Sequence, residues 1–253
     1  MNRIRPNSEN WLMAELHAHC SLDPMDYRLC NYSPERLISE AARLGYRVLA
    51  VTCHDRDIWS EKLSEYAEEL GITLVPGMEV SVEGGRHVLA YNFRTGAENL
   101  NTLAKLRARK REDTVVIAPH PFFPARSCLR KLLPVNQDLF DAIEISGFYT
   151  ARLDFNRRAR RIAAEYGKPL VGNGDVHLLW QLGRTFTWIN AEPGVEPVLQ
   201  AIKQGRMVVE SAPLSLSQVA RWWTTALLRY AFPVNKKPRA RPIIPSSESL
   251  IEN

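Results

Sequence analysis

The segment ELHAHCSLD, residues 15–23, closes an apolar run and sets His17 and His19 two residues apart, with Asp23 close behind. In an extended strand, residues i and i+2 point to the same side, so both imidazoles can aim at one point beyond the strand end. The chain has six histidines in all, the others being His54, His87, His120 and His177. Each lies at or near the edge of a predicted strand. His54 follows the strand in VTCHD, and His120 ends TVVIAPH just before Pro121. In GNGDVH, Asp175 and His177 repeat the i, i+2 spacing, while Glu79 sits late in PGMEV. A lone histidine at a strand end is ordinarily a surface group, but a series that ends one strand after another reads as ligands. Imidazole mixed with carboxylate suits Zn, Mn or Fe and does not match a thiolate-type structural zinc site. The candidate metal ligands are His17, His19, Asp23, His54, Glu79, His87, His120, Asp175 and His177. That set exceeds the needs of one ion and suffices for two or three that share a carboxylate.

The elements that would position these residues alternate between strand and helix. Strands are predicted over 11–17, 46–52, 72–80, 87–93, 114–120, 139–146, 168–175, 184–191 and 206–210. Helices are predicted within 32–45 and over 59–71, 97–112, 151–167 and 195–205, with a short one near 126–133. The first helix has Ser33 as its N-cap, Pro34 at the first helical position and Gly45 as its stop; Leu37, Ile38, Ala41 and Leu44 form its apolar face. Apolar strands separated by amphipathic helices argue for a parallel sheet with helices outside, and a closed β/α barrel gathers the strand C-terminal ends at one face. His87 opens its strand, which puts it at the opposite end of a simple parallel barrel. No GxGxxG or P-loop pattern follows any strand, which argues against a nucleotide-binding α/β fold.

The chain of 253 residues is 45% hydrophobic and 24% charged, with no apolar run near the length of a membrane span. Its opening, MNRIRPNSENW, lacks the apolar stretch of a signal peptide, so a cytoplasmic location is expected. Cys20, Cys30, Cys53 and Cys128 show no CxxC spacing and are expected to be reduced thiols. From Pro213 onward, Arg221, Arg229, Lys236, Lys237, Arg239 and Arg241 face only Glu248 and Glu252, so most of the net charge of +5 lies there. The nearly neutral body, residues 1–212, therefore does not favour a long nucleic-acid track. Residues 213–253 are expected to hold an amphipathic helix, LSQVARWWTTALLRYAF, followed by a basic, disordered tail. That helix is expected to pack on the barrel; the alternative is contact with a membrane surface or an anionic partner.

ELHAHCSLD, VTCHD, PGMEV, APHP and GNGDVH, in that order, resemble the motifs of the polymerase and histidinol phosphatase (PHP) family over roughly residues 12–212. The resemblance implies a distorted (β/α)7 barrel that holds two or three divalent ions and hydrolyses phosphate esters. It implies one ion on His17, His19, Glu79 and Asp175, with Glu79 bridging to a second on His87 and His120. A third would take Asp23, His54 and His177, with Asp26 in reserve. Two departures touch that third site: Cys53 stands where the family usually has Asp or Asn, and Asp23 follows His19 by four residues where many members have five.

The expected activity is hydrolysis of a small phosphomonoester, a nucleotide or an oligonucleotide end by a metal-bridged hydroxide. A metal-bound water or His54 is the candidate general acid, and Arg56, Arg152 and Arg184, in or just after predicted strand-end loops, are candidate phosphate binders; His54 and Arg184 are taken as the catalytic candidates. Two other classes compete. One is a metal-binding module without catalysis. The other is a C–N bond hydrolase of the amidohydrolase type, for which a lysine ligand at a strand end is wanting.

Overall fold

The computed structural model describes residues 10–232. The basic tail expected after the last helix lies outside the described residues. The order is β1 (Trp11–Ala18), α1 (Pro34–Arg43), β2 (Val48–Val51), α2 (Glu61–Glu69), β3 (Thr73–Leu74), β4 (Gly77–Val82) and β5 (Arg86–Tyr91). Then come α3 (Leu103–Arg109), β6 (Val115–Ala118), α4 (Leu132–Val135), β7 (Ala142–Ser146), α5 (Asn156–Glu165) and β8 (Leu170–Asn173). The chain continues through β9 (Thr185–Asn190), α6 (Val195–Lys203), β10 (Met207–Ser211) and α7 (Leu216–Ala231).

The α/β class holds, but the strands do not form one continuous parallel ladder. They form two five-stranded sheets, ordered β10-β9-β1-β2-β3 and β4-β5-β6-β7-β8. Single bridges, His54 with Glu79 and Ala18 with Val176, tie the two sheets together. The predicted strand 72–80 breaks at Pro76, which has no N–H to give a ladder. Before it β3 pairs with β2; after it β4 pairs with β5, so the chain changes sheet there. β5 runs antiparallel to both β4 and β6, and β9 runs antiparallel to both β1 and β10. The remaining pairs, β1–β2, β2–β3, β6–β7 and β7–β8, are parallel as expected.

One apolar cluster joins the sheets. It holds Leu12, Ala14 and Leu16 of β1, Val48 and Ala50 of β2, Leu89 and Tyr91 of β5, Ile117 of β6 and Val171 of β8, with α6 packed against them. Helix caps behave as their residues dictate: Ser33 Oγ accepts from the Arg36 amide, and Leu37, Ile38 and Ala41 are buried. The predicted helix 97–112 is shorter because Thr102 starts a new cap, leaving only a 3-10 turn at Ala97–Asn99. The predicted helix 151–167 starts at Asn156, whose amide donates to Asp154 in a local turn. The short helix expected near 126–133 falls at Leu132–Val135.

Leu89 and Ile117 are fully buried partners across β5 and β6. Leu89→Ala is expected to destabilise the fold by about 2–5 kcal/mol, read from denaturant unfolding. A loss much below this would mean that the two sheets do not share a packed core.

Candidate metal centre

Strand direction decides which residues meet. β1, β6 and β8 end at one face and deliver His17 and His19, His120, and Asp175 and His177. β4 presents Glu79 beside His54 through their bridge. Because β5 is antiparallel, its first turn of chain lies at that same face, and His87, paired opposite Ser81, joins the group. The parallel-barrel reading had placed it at the wrong end.

Glu79 stands at the centre and is almost fully buried. Its Oε2 lies 3.1 Å from His17 Nε2, 3.4 Å from His19 Nε2 and 3.2 Å from His54 Nε2. Its Oε1 lies 2.7 Å from His87 Nδ1 and 3.2 Å from His120 Nε2. Asp175 Oδ1 sits 3.4 Å from His17 Nε2 and 3.3 Å from His19 Nε2. Ligand atoms converge within 4.8 Å in four triads: His17–Glu79–His120, His17–His19–Asp175, His19–Asp23–His54 and His54–Glu79–His87. His19 Nε2 is buried with no hydrogen-bond partner although two carboxylates face it. A cation between these atoms would satisfy it, and the donor set, imidazole with carboxylate, fits a divalent ion.

Asp23 does not meet His177 in a triad. Its Oδ2 lies 2.8 Å from His19 Nδ1 and 3.0 Å from His54 Nδ1, and accepts from the His54 amide at 2.9 Å. Its Oδ1 accepts from the amides of Met25 and Asp26. It therefore sits behind two imidazoles and fixes their orientation. Asp26 instead faces the third set, with Oδ2 3.2 Å from His177 Nε2 and 3.5 Å from His54 Nδ1.

Two buried acids escaped the sequence reading. Glu144 Oε2 lies 3.2 Å from His17 Nδ1 and accepts from the His120 amide at 3.2 Å, holding two candidate ligands at once. Glu15 accepts from the amides of His17 and Gly174, tying β1 to the loop that carries Asp175. Their signal was an acid inside an otherwise apolar strand, AIEIS and MAELH. His120 and Asp175 adopt left-handed backbone, φ 28° and 49°, although neither is glycine. Arg184 does not line the cavity: its Nη2 donates to the Pro213 carbonyl at 2.7 Å. Arg56 donates to the Leu22 carbonyl, and Arg152 is exposed. All four cysteines are buried, and none forms a disulfide.

Charge balance follows from the crowding. Burial disfavours an ionised Glu79, but His87, His17, His54 and His120 outweigh it and hold its carboxyl well below the usual range. Burial likewise opposes charge on Asp175, and His17 and His177 reverse that. On the other side, burial disfavours charged His17 and His120, yet the adjacent acids (and, for His120, the Cys128 thiol) hold both raised. His177 is pushed up to about 10 by Asp175 and Asp26 against the effect of burial, and Asp26 falls to about 2.

These findings can be set beside known proteins. A two-domain protein of Bacteroides vulgatus containing a predicted PHP-like metal-dependent phosphoesterase superposes with a TM-score of 0.64 at 18% identity, over 88% of this chain and 73% of that one. Residues 154–207 match the family model described as PHP-associated. That match is confined to about a fifth of the chain, and the likeness to the solved structure is one of fold. PsfC of Pseudomonas syringae superposes with a TM-score of 0.59 at 17% identity over 88% of this chain and 99% of its own. An amidohydrolase of Chromobacterium violaceum aligns at 0.50 and 15% identity, over 77% and 97%. The error-prone DNA polymerase of Nocardia farcinica is 41% identical over 69 residues, 27% of this chain and 6% of the polymerase. The chain thus spans only a small part of the curated relatives it matches.

A carboxylate behind a ligating imidazole typically contributes 10–100-fold to metal affinity. Glu144→Ala is expected to weaken metal binding by about that factor, measured by chelator competition; an unchanged affinity would leave Glu144 a purely structural acid. Metal must also displace the protons held on the raised histidines. Protonated His177 stabilises the metal-free fold fully below about pH 6.5, and that contribution is lost as pH rises towards about 10. Metal affinity should therefore rise with pH across that window, with net proton release seen by calorimetry in two buffers of different ionisation enthalpy. Zero release would contradict the assignment.

Proposed function

We propose that this chain is a metal-dependent hydrolase of phosphate esters. The observation that carries the reading is Glu79, one buried carboxylate whose two oxygens face five histidines in overlapping triads. That pattern supports one ion on His17, His19, Glu79 and Asp175 and a second on Glu79, His87 and His120. A third ion would draw on His54, His177 and Asp26 rather than on Asp23. When bound, divalent ions of the Zn, Mn or Fe type supply Lewis acidity and lower the pKa of water towards about 7.

The protein's own groups do the rest. Asp23 and Glu144 hold imidazole Nδ1 atoms from behind and so leave the Nε2 lone pairs of His19 and His17 facing inward. Asp26, His54, Glu79, His87, His120, Asp175 and His177 line one cavity, while His17 and His19 are fully buried beneath it. A phosphoryl group bound in that cavity meets imidazoles on several sides. With only the first two sites filled, His54 would serve as the proton donor to the leaving oxygen; with the third filled it would be a ligand instead. The Gln181 side chain fixes the loop beneath by accepting from the amides of His177 and Leu178. Among the described residues no helix is long and apolar enough to cross a membrane.

The test is a panel of phosphate esters, amides and lactones offered to protein loaded with each candidate metal. Ester hydrolysis alone is expected, and His19→Ala and Asp175→Ala should each abolish it while leaving the thermal melt broadly intact. Turnover of amides or lactones but not of esters would transfer the assignment to the amidohydrolase class.

A further inference from the structure

Above the floor of imidazoles and carboxylates, the wall of the cavity changes character. Phe123 and Phe148, from the loops after β6 and β7, and Trp222 and Trp223 of α7 form it. These rings run edge to face: the centroids are 5.8 Å apart for Phe123–Phe148, 5.1 Å for Phe148–Trp222 and 5.0 Å for Trp222–Trp223. Every charged group on the cavity is a carboxylate or an imidazole, and among the described residues no lysine or arginine lines it. Trp222 Nε1 is buried without a hydrogen-bond partner. The enclosed volume is about 200 Å³. Sites that enclose a whole drug-sized ligand measure roughly 300–1,000 Å³, so a phosphate with a single ring system beside it suits this one.

Resting on the phosphoester reading above, we infer that the substrate is a phosphate monoester whose alcohol carries one flat, uncharged aromatic ring, held against Phe123, Phe148, Trp222 and Trp223. A second phosphate or a carboxylate on that alcohol would be desolvated against a wall that carries no cation, which weakens binding. A plain alkyl group would forgo the edge-to-face contacts that rings make with rings. Selectivity then depends on α7, which is well fastened to the body. Tyr230 Oη donates to Asp26 Oδ1 at 2.9 Å, the Arg229 guanidinium donates to the Leu29 carbonyl, and Ala226 packs with Leu29 and Leu178.

The experiment compares kcat/KM of the metal-loaded full chain for 2-phenylethyl phosphate, butyl phosphate and 1,4-butanediol bisphosphate. All three are esters of primary alcohols of similar leaving ability, so differences report on the wall. The phenylethyl ester is expected to lead by about tenfold or more, and Trp222→Ala and Trp223→Ala should each pull that ratio towards one. Trp223 is 59% exposed, so its replacement does not threaten the fold. Equal values for the three esters, or a ratio that neither substitution moves, would overturn the inference while leaving the phosphoester reading in place. Hydrolysis of none would remove that reading, and the wall is then judged by binding: tryptophan fluorescence with 2-phenylethylphosphonate against butylphosphonate. Tighter binding of the ring compound, reduced in Trp222→Ala, supports the aromatic wall; equal binding overturns it.

Discussion

A carboxylate buried as deeply as Glu79 must be compensated, because an isolated ion in the interior costs several kcal/mol. Here the compensation comes from five imidazoles that reach it from β1, β5 and the loops after β2 and β6. That requirement explains the chain path. Pro76 ends one pairing so that β4 can start another, and the bridge from His54 to Glu79 joins the two sheets at the point where the charge sits. Moving Glu79 by one residue along β4 would turn it to the opposite side of the sheet and leave the imidazoles facing one another.

Around this pair of oxygens stands a further ring of acids that point at the backs of the histidines. Asp23 serves His19 and His54, Glu144 serves His17 and the amide of His120, and Glu15 clamps the strand that carries His17 to the loop that carries Asp175. The site is thus two shells of alternating charge within a packed fold. In His17, His19, His54 and His120 the Nδ1 atom has a partner in the protein, which settles the tautomer when Nε2 binds a cation.

Much of this was legible in the sequence, and the rest was hidden for identifiable reasons. His17, His19, His120, Asp175 and His177 could be grouped because a strand end exposes i and i+2 together, and that local rule survives any sheet topology. His87 could not be placed by spacing, since nothing local announces that β5 runs antiparallel. Which nitrogens Asp23 would meet could not be read either: a carboxylate four residues past a histidine can reach either ring nitrogen, and the turn at Asp23–Asp26 brings it to Nδ1 of His19. Glu144 and Glu15 looked like interruptions in apolar strands, because their partners lie more than a hundred residues away. The amphipathic pattern of α7 announced a docked helix, and Ala226 and Trp222 do pack inward, yet the pattern gave no hint that two indoles would reach the cavity.

The left-handed backbone at His120 and Asp175 has a further consequence. Non-glycine residues in such conformations typically cost about 1–3 kcal/mol each, and here two of the strained positions carry the side chains that face the centre. A glycine at either would relax the chain and could yield a sturdier protein that had lost a side chain from the cup. Stability and the site therefore pull in opposite directions at these two positions.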